Sequence, residues 1–176
     1  MQNAHKARLA PLAEYLKSKR QANLKSYVFD ARVLTANEGK EYFRALTNAS
    51  LFPEIYLFLN HVANYTVHNA QFSVGASLSG APLHHHTEAF NHLLYGQKKW
   101  MMYNRRFMMY SNIPAWELWR VKEKLPPPQW QCTQKAGDVM FVPNSITHSV
   151  LNEMEYNVGY AREMSGATSG PTLSYF

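Results

Sequence analysis

The chain has 176 residues, 46% hydrophobic and 17% charged, with 4 Trp, 11 Tyr and 9 Phe, which excludes a disordered chain and is enough for one domain with a sizeable core. No apolar run approaches the ~18–20 residues of a membrane span, and no segment reads as the core of a signal peptide. Of the formal net charge of +6, residues 1–25 hold +5, with Lys6, Arg8, Lys17, Lys19, Arg20 and Lys25 against Glu14 alone; the basicity belongs to an N-terminal arm, and there is no specific nucleic-acid signal across the fold.

In chain order, Leu9, Leu12, Tyr15 and Leu16 fall at helical spacing within residues 4–19, and Pro11 moves the start toward Leu12. Three readings fit this arm: a docking helix for a protein partner or larger complex, a basic transit-type presequence, or an amphipathic helix packed on its own domain, which is the simplest. A second helical stretch is predicted over residues 40–63, with Ile55, Phe58, Leu59 and Val62 on one face. Sequons at Asn48 and Asn64 fit a secretory-pathway location as the presequence reading fits a mitochondrial one; the compartment of a soluble chain stays open. From about residue 70 short apolar runs alternate with Gly, Pro, Asn and Ser: Phe72–Leu78, Phe90–Tyr95, Trp100–Tyr103, Val139–Val142 and Ser149–Leu151. That rhythm, with no helices between strands, predicts a mainly β sandwich or barrel. One insertion, residues 104–128, carries Trp116, Leu118, Trp119 and Val121 on a short helix closed by Pro126, Pro127 and Pro128. Cys132 is the only cysteine, so an intrachain disulfide and a cysteine zinc cage are excluded; it is expected to be a small buried hydrophobe on a strand.

The stretch PLHHHTEAFN at 82–91 carries the most chemistry. On a strand His84, His86 and Glu88 would share one face and His85 and Thr87 the other. A further histidine, His148, follows a turn at Gly137–Asp138 and a strand ended by Pro143, 62 residues after His86. Three imidazoles brought together this way can hold one metal ion, with ring nitrogens expected about 3–4 Å apart. Lys98 and Lys99 alternate, so only one can point inward, and an inward ammonium needs an anion. A weaker reading has Tyr95, Trp100, Tyr103 and Trp130 lining a sugar or small-molecule pocket without metal; plain core packing is the simpler account of them.

The run GAPLHHHTEAFNHLLYGQKKW followed by KAGDVMFVPNSITHSVLN resembles the JmjC branch of the cupin superfamily, within it the small JmjC-only proteins with a PFHxHG-type first motif. The resemblance spans about residues 26–165, between the arm at 1–25 and a tail at 166–176. It implies a double-stranded β-helix, the jelly-roll or cupin barrel, with N-terminal helices and one helical insertion. The strands and helices that such proteins often carry before this region are mostly missing, which reads as a fragment or a shortened member. It also implies Fe(II)- and 2-oxoglutarate-dependent oxygenase chemistry. His84 and His148 match metal-ligating histidines, Lys98 the lysine that pairs with the distal carboxylate of 2-oxoglutarate, and Asn91 a polar residue that helps hold it. The usual carboxylate ligand falls on His86. A shift that makes Glu88 the ligand ranks lower, because it shortens the interval to Lys98. A three-histidine site suits iron and zinc alike. Two functions therefore stand side by side: an oxygenase with an atypical metal site, or a catalytically inactive JmjC-fold subunit, with zinc or no metal, in a structural or docking role, with the arm at 1–25 and an exposed Trp116/Trp119 helix as its docking surfaces.

Overall fold

The computed structural model describes residues 27–30 and 65–166, together with residues 14, 15, 17 and 41, which are helical. The remainder of the predicted helices at 4–19 and 40–63, and the two sequon asparagines, Asn48 and Asn64, lie outside the described residues. Nine strands follow in order: β1 Tyr27–Asp30, β2 Tyr65–Gly75, β3 Gly80–His84, β4 Ala89–Tyr95, β5 Gln97–Tyr103, β6 Trp130–Lys135, β7 Val139–Val142, β8 Thr147–Asn152 and β9 Asn157–Gly166. Helix α1, Ala115–Arg120, lies in the insertion between β5 and β6. One sheet has the order β1-β2-β9-β4-β7 and the other β3-β8-β5-β6, all pairs antiparallel. Strands β2 to β5 and again β6 to β9 alternate between the two sheets in the manner of a jelly roll, with β5 and β6 paired in the second sheet, and β1 extends the first sheet beyond β2.

Period-two alternation explains why both faces of the second sheet are covered. On β5 the inward set is Lys98, Trp100 and Met102, and Trp100 and Met102 pack with Val142, Ile146 and Val150 between the sheets. The outward set, Met101 and Tyr103, packs with Leu83 and Leu118 beneath α1. Burying each such side chain is worth roughly 1.5–3 kcal/mol. The Trp116/Trp119 helix, expected as an exposed docking face, is instead seated on the barrel. Its Leu118 is buried and the Trp119 indole Nε1 donates to Ser149 Oγ at 3.1 Å. Cys132 also departs from expectation. It lies on β6, the edge of the second sheet, where every position but Gln134 is exposed, and its thiol side is exposed too.

The β2–β3 turn has Leu78 at φ 65° and Gly80 at φ 150°. A Cβ at Gly80 would overlap the Val150 carbonyl oxygen on the neighbouring strand. Gly80→Ala is therefore expected to destabilise the barrel by about 2–4 kcal/mol, read as a lower urea midpoint at unchanged m-value.

Candidate metal centre

β3 ends at His84, which pairs directly with His148 of β8 across the second sheet. Their ring centroids are 4.2 Å apart. His86 is not on the strand, as alternation led one to expect, but on the loop that follows. That loop is fixed from the other side by the Ser145 amide, which donates to the His86 carbonyl at 2.9 Å. The His86 ring lies 5.4 Å from that of His84 and 4.8 Å from that of His148. One ring nitrogen from each of the three falls within 4.8 Å of the others. This is wider than the expected 3–4 Å, and the excess traces to His86, whose backbone is on the loop.

Each histidine has its Nδ1 against a backbone carbonyl: Pro82 at 2.8 Å for His84, Thr87 at 2.6 Å for His86 and Ile146 at 2.9 Å for His148. A carbonyl only accepts, so each Nδ1 carries the proton and donates, leaving the Nε2 lone pair as the free ligand atom. Burial lowers the His148 pKa to about 3, with the neighbouring His84 adding to the effect. Burial also lowers that of His84, partly offset by the Pro82 bond. Both rings are thus neutral near pH 7, the state a metal ligand needs.

His85 turns away and stacks near Tyr110, ring centroids 4.4 Å apart. Glu88 is not part of the histidine group, and its carbonyl accepts from the Met164 amide on β9. A cavity of about 310 Å³ opens from the three histidines, and Asn91 and Trp100 line it. Tyr27 and Phe29 of β1 line it as well. Sequence reasoning did not single these out, although the alternation in YVF at 27–29 was visible.

Lys98 is inside the barrel with 1% of its surface exposed, while Lys99 points out and pairs with Glu153 at 2.6 Å. The Lys98 ammonium is buried without a hydrogen-bond partner, and burial lowers its pKa to about 8. It is not on the cavity wall. Trp100, the next inward residue on β5, is, and it stacks toward His148 at 5.7 Å between ring centroids. Of the aromatic pocket expected without metal, only Trp100 lines the cavity. Tyr95 and Trp130 are exposed, and Tyr103 packs on the far face of the sheet.

Three imidazoles grouped within reach of one another suit a borderline transition-metal ion, and an orphaned buried ammonium suits a carboxylate. No family model matches the chain. Among curated proteins it is 31% identical over 87 residues to human JmjC domain-containing protein 8, covering 46% of this chain and 33% of that protein. The rat protein of the same name is 30% identical, again over 87 residues, with 46% and 32% covered. Over that stretch the chain is similar to the JmjC domain-containing proteins. It spans about a third of the length of the relatives it matches. Among solved structures, the Escherichia coli ribosomal oxygenase YcfD in complex with cobalt and 2-oxoglutarate is similar at TM-score 0.48 and 11% identity, covering 66% of this chain and 28% of that one. The cupin domain of Schizosaccharomyces pombe Cnp3 is similar at TM-score 0.37 and 12% identity, with 55% and 52% covered. No helix among the described residues is long and apolar enough to cross a membrane.

Proposed function

We propose that the chain is an Fe(II)- and 2-oxoglutarate-dependent oxygenase, a hydroxylase of the JmjC type with a three-histidine metal site. The observation that carries this is the presence, in one barrel, of three histidines whose ring nitrogens lie within 4.8 Å of one another and a buried ammonium that has no hydrogen-bond partner. His84, His86 and His148 are the metal ligands in this reading, and Lys98 and Asn91 hold the cosubstrate. The metal and 2-oxoglutarate, when bound, supply the redox chemistry that activates O₂. The chain's own part is positional. The Nδ1 bonds to Pro82, Thr87 and Ile146 lock the ring tautomers. Trp100, Val142 and Val150 give the cavity dry walls, which strengthen attraction between Lys98 and a carboxylate. The Asn91 amide on the cavity wall offers a polar contact beside it.

The second reading, a non-catalytic JmjC-fold subunit holding zinc or no metal, is favoured by one observation: an imidazole, His86, stands in the carboxylate position. Without that negative charge the site holds a divalent ion less tightly and changes the redox behaviour of iron. Under this reading residues 1–25 contact a protein partner or larger complex.

Incubating the chain with Fe(II), 2-oxoglutarate and O₂ and measuring succinate separates the two. Succinate formation supports the oxygenase; bound metal without succinate supports the subunit. Lys98→Met is expected to lower 2-oxoglutarate affinity at least ~100-fold and, in the ligand-free protein, to raise stability by about 1–3 kcal/mol, because it removes an unpaired buried charge. Isothermal titration and urea unfolding read the two effects. An unchanged affinity would remove Lys98 from the site.

A further inference from the structure

We propose that Asn152 is a positioning residue whose side-chain carbonyl oxygen receives and aims the Lys98 ammonium, so that the ammonium can meet an anion inside the barrel. The proposal rests on the reading of Lys98 as the anion anchor. It starts from the β2–β3 turn, which clamps Asn152 from its backbone outward. The Asn152 amide donates to the Ser79 carbonyl at 2.8 Å, and the Asn152 carbonyl accepts from Leu78 at 2.8 Å.

The side-chain amide is then oriented by a proton count. Ser79 Oγ has one proton, and it is donated to the Ala76 carbonyl at 2.6 Å. The hydroxyl is left only as an acceptor for Asn152, so it is the Asn152 Nδ2 that lies 3.0 Å from it, donating. The amide cannot be flipped without setting acceptor against acceptor. Its Oδ1 therefore faces away from the turn, buried and without a partner.

Lys98 stands opposite in the ladder. Its Cα partners are Asn152 on β8 and Gln134 on β6. The inward residues on β8 are His148, Val150 and Asn152, and those on β5 are Met102, Trp100 and Lys98, in matching register. Gln134 has its side chain fully committed. Its Oε1 accepts from Trp100 and its Nε2 donates to the carbonyls of Asn91 and Asp138. Of the two neighbours' amide oxygens, Gln134 Oε1 already has a donor and Asn152 Oδ1 has none. A buried amide oxygen without a donor and a buried ammonium without an acceptor each cost stability; the two stand on paired positions of neighbouring strands with no hydrogen bond between them in this structure, and a change of Lys98 rotamer would let each answer the other's need. Both Cα-partner side chains are uncharged amides. The Oδ1 of Asn91 is the other buried orphan acceptor in the interior. An ammonium has three protons, enough for one amide oxygen and for the two oxygens of a carboxylate.

The test uses the full chain with its lysines isotopically labelled. The first readout is the Lys98 pKa by NMR without any ligand. Asn152→Ala is expected to lower it and Asn152→Asp to raise it, each by at least about half a pH unit. The second readout is 2-oxoglutarate affinity by titration in the presence of Co(II), expected to fall about 10-fold in Asn152→Ala and at least as far in Asn152→Asp, whose carboxylate competes with the cosubstrate for the ammonium. Co(II) uptake itself should be unchanged in both variants. If the wild type fails to bind 2-oxoglutarate, the function proposed above fails, and the ligand-free NMR readout alone decides the role of Asn152. A Lys98 pKa that does not respond to Asn152→Asp overturns the proposal, as does an Asn152→Ala protein that binds 2-oxoglutarate like the wild type.

Discussion

Replacing His148 by alanine is expected to lower affinity for Co(II) or Fe(II) at least ~100-fold while the barrel remains folded. His148 is the buried member of the three and the one on the most enclosed strand, 2% exposed. Its removal leaves His84 and His86, whose ring centroids are 5.4 Å apart, as a two-nitrogen site. Truncation at the cavity wall adds space to an existing opening, so the loss of packing is smaller than at a filled core position. Glu88→Gln separates the two ligand assignments. If Glu88 were the third ligand, that variant would bind metal as poorly as His148→Ala; with His86 in the set it should bind like the wild type. Metal titration of the three proteins checks both statements.

The metal-free protein is expected to lose stability steeply as the pH falls. His148 has a pKa of about 3 in the folded barrel, against about 6.5 in an unfolded chain. The folded value is the depressed one. Between these limits the unfolded chain binds a proton that the folded chain does not, so stability rises with pH. The contribution is fully present above about pH 6.5 and is lost as the pH falls toward 3, on the order of 4 kcal/mol for a ring this buried. His92, lowered to about 4 by burial and by the charge of Arg162, acts in the same direction with a smaller weight because it is less enclosed. Urea unfolding at a series of pH values should show the slope, and His148→Ala should flatten most of it. A slope that survives His148→Ala would mean that His148 is not held neutral by its burial.

Much of the barrel was legible because strand alternation is a local property. The runs at 90–95, 100–103 and 139–142 fall within β4, β5 and β7; period two allowed only one of Lys98 and Lys99 inward, and the resemblance to the JmjC proteins chose Lys98. His148 could be placed near the start of its strand because Pro143 has no amide proton to continue the one before it. What was not legible depends on tertiary placement. His86 lies beside His84 because the loop after β3 is tied back to the turn at 143–146, not because the two share a strand face, and Glu88, which alternation put on that face, is outside the group. Cys132 looks buried from its neighbours' composition, but exposure depends on which strand ends the sheet. Trp116 and Trp119 looked like a free face because the partner of the Trp119 indole, Ser149, is 30 residues away. The aromatic pair Tyr27 and Phe29 reaches the cavity through pairing of β1 with β2. No spacing rule predicts a contact made across so long a stretch of chain.

The central claim is that His84, His86 and His148 form one metal site through their Nε2 atoms. X-ray absorption spectroscopy of the protein loaded with one equivalent of Co(II) tests it most directly. The account predicts one tightly held ion per chain with three imidazole nitrogens at about 2.0–2.2 Å and the remaining positions filled by oxygen. A stoichiometry near zero, or a shell with fewer than two imidazoles, would contradict it.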